Sequence, residues 1–526
     1  MSTAAATAAP GRQPPERQAE ECQTHPGLVA ISVMLATIMQ ALDTTIANVA
    51  LPHMQGSLSA TQDQISWVLT SYIVAAAITM PATGFVAAKI GRRRLLLISI
   101  GGFVVTSMLC GLALSLEQMV LYRLLQGIFG ASLVPLSQAV LLDAYPKEKH
   151  GSAMAMWGVG VMVGPILGPT LGGYLTDNFD WRWVFFINLP FGLLAFGGAF
   201  LFVKESARQA HLRFDAMGFL FLAFAIGALQ MMLDRGEQVD WFGSLEIIAY
   251  AVISGLAFYL FLVHMFTYER PFLEPRLFRD RNFVVGTSFM FAVGIILLAT
   301  MALLPPMLQH LMGYPVLTTG YVLAPRGIGT MVSMFLVGRI MGRIDPRILL
   351  VSGLGLAAFS LWEMTGFNAN TDTWDIVRTG VTQGAGLGLI FVPLSAITFS
   401  TLAADLRTEA AGLFSLMRNI GSSVGISIVT ALLTRGTQVN HAQLAEHVTP
   451  FMPALRTPGY PSMWSLDNVH GLAALNGELT NQAQMIAYLD DFRILMWVTL
   501  AAVPLILLLR RNHRPVPKEA LDAAVE

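Results

Sequence analysis

Apolar positions run along this chain in blocks of about 20, the length of helix that crosses the ~30 Å core of a bilayer. Read with that window, the sequence predicts fourteen spans. They lie at 28–50, 66–87, 95–115, 118–142, 151–175, 182–203, 214–233, 244–268, 283–307, 316–338, 348–366, 379–402, 408–434 and 490–509. Residues 1–27 are polar, carrying Glu16, Arg17, Glu20 and Glu21, and lack the early apolar core of a secretory signal. Residues 435–489 form one 55-residue connection, broken by Pro450, Pro453, Pro458 and Pro461 and weighted by Phe451, Tyr460 and Trp464. It fits a cap over the outer mouth, a partner contact or a plain solvent loop.

Composition narrows the class. Of 526 residues, 54% are hydrophobic and 12% charged, about half the charge of an average soluble protein. That excludes an ordinary soluble enzyme and predicts a polytopic membrane protein. A net charge of −1 offers no basic face for nucleic acid. Cys22 and Cys110 give no disulfide framework.

Basic residues set the orientation. With both termini in the cytoplasm, 23 Lys and Arg fall inside and six outside, while Arg123, Arg326 and Arg418 lie within spans. That asymmetry supports an even number of spans.

The chain also repeats. Gly84 to Arg93 resembles Gly338 to Arg347, 254 residues on; Gln126-Gly127 followed by Val134-Pro135-Leu136-Ser137 resembles Gln383-Gly384 followed by Val392-Pro393-Leu394-Ser395, with Val134 and Val392 258 apart. Span 10 therefore matches span 2, and span 12 matches span 4. Spans 1–6 repeat as 9–14, with 7 and 8 inserted. The expected organisation is a cytoplasmic tail (1–27), a six-helix half (28–203), two inserted helices (214–268), a second six-helix half (283–511, including 435–489) and a tail (512–526).

Candidate chemistry gathers in the first half. Gln40, Asp43, Thr44 and Ala47 share one face of span 1, with Asn48 close by. A carboxylate inside a membrane helix is costly and faces a cavity or a partner, which makes Asp43 a candidate proton carrier; a structural hydrogen bond is the plainer role. Arg123, in Leu121-Tyr-Arg-Leu-Leu-Gln126-Gly127, sits at the same depth as Asp43, each about 22 Å from the inner face by helical rise. The two can pair; alternatively Arg123 snorkels to the outer interface.

Span 5 carries Gly160, Gly164, Gly168 and Gly172 at every fourth position, with Pro165 and Pro169. Such a face permits close helix approach, and the prolines remove backbone bonds. This predicts a conformational interface, or else static packing. Gly84, Lys89, Gly91, Arg92 and Arg93 form a short basic loop after span 2, a candidate cytoplasmic gate as well as a topology and head-group contact. Arg326 and Arg418 lie near the midplane with no acid at their depth in the second half. They face water, an anion or backbone carbonyls. With Gln40, Thr44, Asn48 and Gln126 they are the expected lining of a substrate cavity. No P-loop, His-Glu-x-x-His, Cys-x-x-Cys or Gly-x-Ser-x-Gly occurs, and no span holds a metal-ligand cluster.

These motifs resemble the fourteen-span drug:proton antiporters of the major facilitator superfamily, EmrB/QacA type. LDTTIANVALP (Leu42–Pro52) is similar to the family's first-span motif, LYRLLQG (Leu121–Gly127) to its fourth, and GVGVMVGPILGPTLGGYL (Gly158–Leu175) to its fifth-span antiporter motif; MLDRGEQVDW (Met232–Trp241) also resembles EmrB-type proteins. The loop after span 2 departs from the pattern, with Ala88 where the family has an acid. The resemblance implies an all-α major facilitator fold, no enzymatic activity and no cofactor, only a proton gradient. It implies export of lipophilic toxic compounds across a bacterial inner membrane, with a periplasmic adaptor and an outer-membrane channel as partners. Export of a metabolite such as a fatty acid or siderophore fits the same residues, and a non-transporting membrane sensor is the rival of another class.

Overall fold

The computed structural model describes residues 26–509 except 147–148, 207, 209–213, 270, 342, 404–405 and 450–468. Among the described residues, fourteen helices are long and apolar enough to cross a membrane. They are α1 (Pro26–Ser57), α2 (Trp67–Ile90), α3 (Arg92–Gly111), α4 (Leu116–Ala144), α5 (His150–Asn178), α6 (Trp183–Phe202) and α7 (Ala216–Arg235); then α8 (Leu245–Thr267), α9 (Arg281–Leu311), α10 (Thr318–Ile340), α11 (Pro346–Met364), α12 (Thr373–Ser400), α13 (Arg407–His447) and α14 (Val469–Leu508). Each overlaps one of the fourteen apolar blocks.

The pairing of helices repeats. In the first six, α1 packs on α5 and α6, and α4 packs on α2 and α3; in the last six, α9 packs on α13 and α14, and α12 packs on α10 and α11. Small residues set the closest approaches. A Cβ on Gly127 would lie 2.5 Å from the carbonyl oxygen of Tyr72, and one on Gly384 would lie 2.0 Å from that of Arg326. The same crossing, α4 on α2 and α12 on α10, thus recurs at matching glycines. Helices α5 and α13 carry the contacts between the two groups of six, α5 against α10 and α12, and α13 against α2 and α4. Helices α7 and α8 pack on each other, and α7 also reaches α2 and α13.

One expected element differs. The stretch 435–489 is not a single loop: α13 continues as helix to His447, and α14 begins at Val469 rather than near 490. An apolar window finds only the part of a helix that meets lipid. Beyond it the two helices pair, with Asn440 Nδ2 donating to the Ala483 carbonyl at 3.5 Å and His441 Nε2 lying 3.0 Å from Asn476 Oδ1. Ala483, Met485 and Ala487 are buried in that pairing. The proline-rich middle of the connection, and the tails beyond residues 26–509, lie outside the described residues.

Candidate functional site

Asp43 is fully buried on α1 and Arg123 almost so on α4. The helices bring them into direct contact, Arg123 Nη1 donating to Asp43 Oδ2 at 2.7 Å. Gln126, one turn along α4, completes a ring: its Nε2 donates to Asp43 Oδ1 at 2.9 Å while its Oε1 accepts from Arg123 Nη1 at 2.9 Å. Asn188 on α6 supplies a third donor to the carboxylate, Nδ2 to Oδ1 at 2.8 Å, and also donates to Ser107 Oγ on α3 at 2.9 Å. Arg123 Nε is taken up by the Val68 carbonyl of α2 at 3.0 Å. Its guanidinium lies 4.5 Å from the Tyr72 ring centroid and 5.7 Å from that of Phe185.

Five helices, α1, α2, α3, α4 and α6, therefore meet around this ion pair. Such a pair is stable only because the remaining polar atoms are satisfied; removing one partner strands the other charge, at a cost of about 3–5 kcal/mol. The Cys110 thiol approaches Gln126 Oε1 at 3.6 Å. The buried Asn188 Oδ1 has no partner among the described residues. Sequence reasoning found Asp43, Arg123 and Gln126 but not Asn188, Ser107 or Tyr72. The available signal was the amide of Asn188 inside the apolar run Phe185-Phe-Ile-Asn-Leu-Pro-Phe191.

The neighbours expected on the α1 face spread out. Gln40 is half-buried and donates through Nε2 to the Tyr72 hydroxyl at 3.1 Å. Thr44 is half-buried and bonded to the Ala41 carbonyl; Asn48 is exposed, its Nδ2 donating to the Thr44 carbonyl at 3.3 Å.

The glycine row of α5 meets α1. A Cβ on Gly164 would stand 2.5 Å from the Ala41 carbonyl carbon, one on Gly168 2.1 Å from Thr45 Oγ1, and one on Gly172 3.0 Å from Ile46 Cγ1; Gly160 faces Met34. The row thus packs within the first six helices. The adjoining face of α5 meets α10, where Gly158 lies against Met334 and Ile166 against Gly327. Helix α5 continues unbroken through Pro165 and Pro169.

At the basic end of the bundle the two groups of six are clasped. A Cβ on Gly84 would lie 2.6 Å from the Glu409 Cα, so α2 and α13 touch backbone to backbone. Asp143, at the end of α4, pairs with Arg92 and, at 3.0 Å, with Arg407 Nη1 of α13. Gly91 takes φ +97°, a backbone that favours glycine, and lets α3 start at Arg92. Arg93 donates to the Phe200 carbonyl, and Lys89 lies 5.8 Å from the Phe85 ring.

Arg326 and Arg418 have no ion pair among the described residues. Arg326 is 8% exposed and donates through Nη2 to the Leu297 carbonyl of α9 at 3.3 Å. Arg418 is half-buried. No group of three or more His, Cys, Asp or Glu among the described residues could hold a metal ion.

Two groups of six membrane-length helices with two more inserted between them are the arrangement of major facilitator transporters. The chain belongs to the major facilitator superfamily, whose model matches residues 33–426, and is a multi-pass protein of the bacterial inner membrane. Among curated proteins it is similar to the multidrug export protein EmrB of Haemophilus influenzae, 37% identical over 469 residues, covering 88% of this chain and 92% of that protein. It is also similar to EmrB of Escherichia coli K12, at 36% with 88% and 91% covered. The fatty acid resistance protein FarB of Neisseria gonorrhoeae is 36% identical, with 88% and 92% covered. The fold is shared with the human organic anion transporter MFSD10, at TM-score 0.57 and 14% identity, covering 91% of this chain and all of that one.

Proposed function

We propose that the chain is a proton-coupled exporter of lipophilic compounds, with Asp43 as the proton carrier and Arg123 as its partner. The observation that carries this reading is a fully buried carboxylate held by three side-chain donors from α4 and α6. Protonating Asp43 cancels its charge, turns an acceptor into a donor and leaves Arg123 without its counter-ion. The five helices must then rearrange, because a lone buried guanidinium is costly. Releasing the proton on the other side restores the knot. The basic end is then cytoplasmic, and the Asp143–Arg407 clasp with the Gly84–Glu409 contact closes that side.

Relatives named for multidrug export support export as the direction, and the similarity implies a periplasmic adaptor and an outer-membrane channel as partners. A second reading, a fatty acid or similar lipophilic acid as the physiological cargo, is favoured by Arg326 and Arg418, two cations with no acid against them, and by the name of the Neisseria relative. The deciding experiment is flux from proteoliposomes under an imposed pH gradient. Wild type should pump uphill, and Asp43→Asn should insert normally but only equilibrate its substrate. Uphill pumping by the variant would remove Asp43 from the coupling step.

A further inference from the structure

Several buried polar groups near the basic end take no part in the knot around Asp43. Gln138 on α4 is fully buried, and neither its Nε2 nor its Oε1 has a partner among the described residues. Trp157 on α5 is fully buried and Ser415 on α13 is 1% exposed, and among the described residues neither Trp157 Nε1 nor Ser415 Oγ has a partner. Buried groups in folded proteins are almost always paired, so these orphans need an explanation.

They lie at similar depth. Gln138 is five residues from Asp143, Trp157 seven from His150 and Ser415 eight from Arg407, placing them about 8, 10 and 12 Å from that end by helical rise. They also face inward. On α4, Ser132 meets Ser99 of α3, and Ser137 donates to the Val33 carbonyl of α1. Gln138 sits about a third of a turn from each, and this half of α4 also packs on α5 and α13. Trp157 lies between Gly158, which meets α10, and Gly160, which meets α1, and it stacks on Phe391 of α12 with centroids 5.8 Å apart. Ser415 is one turn from Arg418, on the same face of α13.

We propose that Gln138, Trp157 and Ser415 form a second binding station on the transport path, shut in this conformation and filled when the basic end opens. Its ligand is a planar apolar molecule bearing a group that both donates and accepts a hydrogen bond, as an undissociated aromatic carboxylic acid does. The indole and Phe391 supply stacking surface. The Gln138 amide supplies one donor and one acceptor at once, the complement of a carboxylic acid. A cargo entering from the basic end meets this station before it reaches Arg418. The proposal rests on the reading of the chain as an exporter, and its test separates the two.

The probe is 2-naphthamide, a planar neutral analogue that both donates and accepts a hydrogen bond and does not titrate, with binding measured by equilibrium dialysis on purified full-length protein in lipid nanodiscs. Wild type should bind. Gln138→Met, of similar shape but without the amide, should bind roughly tenfold more weakly. Gln138→Asn should recover part of the loss, and Trp157→Phe, which keeps the stack, should lose a smaller factor. Ser415→Ala, too small a change to disturb folding, should weaken binding several-fold. Wild-type affinity in all of these variants, or no binding by wild type, overturns the station and leaves export standing. Weakened binding in the variants, with no proton-driven flux of any compound by wild type, upholds the station and removes the exporter reading.

Discussion

The two six-helix groups use one scaffold for opposite electrostatics. Residues 257 apart occupy equivalent places on α1 and α9 and on α4 and α12: Asp43 answers to Thr300, and Gln126 to Gln383. In the first half the amide meets a carboxylate. In the second, Gln383 Nε2 donates to the Thr300 hydroxyl at 3.3 Å. The arginine has changed helix. The α4 position of Arg123 corresponds to Gly380 on α12, whereas Tyr72, which stacks on Arg123, corresponds at an offset of 254 to Arg326 on α10. Arg326 fills the space that Gly380 leaves open, its Cβ standing 3.6 Å from where a Gly380 Cβ would be. One half therefore contains a neutralised pair, and the other a cation whose side chain, among the described residues, is bonded only to a carbonyl. At the same crossing, the arginine sits on α4 in the first half and on α10 in the second.

The largest effect should come from breaking the first half. Arg123→Ala leaves Asp43 buried without its counter-ion, a loss of about 3–5 kcal/mol if the carboxylate stays ionised. We expect uphill flux to fall at least a hundredfold, with residual exchange. Asp43→Asn together with Arg123→Gln removes both charges and should recover folding and thermal stability but not coupling. Melting curves and proteoliposome flux on the same preparations distinguish these outcomes; coupled flux in the double variant would show that the pair is structural only.

Close packing comes next. Gly164→Leu forces a side chain into the Ala41 backbone, where even a Cβ stands at 2.5 Å, and overpacking costs about 1–3 kcal/mol. Transport should fall more than tenfold. Gly158→Leu, on the adjoining α5 face, displaces only the flexible Met334 side chain, 2.6 Å from its Cβ position, and should be milder. A larger loss in Gly158→Leu would show that the contact between the six-helix groups, not the α1 packing, limits the cycle.

A smaller shift is expected at the basic end. Arg407 is 10% exposed and Asp143 36%, so the pair is partly screened and worth about 1 kcal/mol or less. Arg407→Ala should raise alkylation of a cysteine at Ser415 by up to about fivefold. Arg407→Lys, which keeps the charge facing Asp143, should retain most of the protection. Unchanged labelling in Arg407→Ala would assign closure to the Gly84–Glu409 contact alone.

The sequence shows these two halves unequally. Spans are legible because the bilayer imposes a length and an apolar surface that few other structures need. Asp43 and Arg123 are legible together because counting residues from a span's end measures depth. Asn188 is not: its partner lies 145 residues away, and no spacing rule connects α6 to α1. The Thr300–Gln383 pair is hidden for a different reason, since neutral polar residues in a membrane helix commonly bond their own backbone, as Thr300 also does through the Ile296 carbonyl. Glycine rows announce close approach but not the helix approached; only the structure assigns Gly164 and Gly168 to α1. The long helices past residues 434 and before 490 escape an apolar window because there they pair with each other rather than with lipid.

The finest test imports one half's chemistry into the other. Arg326 Nη2 reaches the Leu297 carbonyl, and Thr300 lies one turn further along α9, on the same face. Thr300→Asp therefore places a carboxylate within reach of an unpaired guanidinium, recreating across α9 and α10 what Asp43 and Arg123 make across α1 and α4. With that cation neutralised, the second half should attract anionic cargo less. Export of a lipophilic weak acid should fall several-fold while export of a neutral dye stays within about twofold, and Arg326→Ala should give the same selectivity without the new acid. Side-by-side efflux of the acid, the dye and a divalent cationic biocide reads this directly. If the weak acid is exported equally by wild type and both variants, Arg326 faces away from the cargo, and the contrast between the halves concerns stability rather than selectivity.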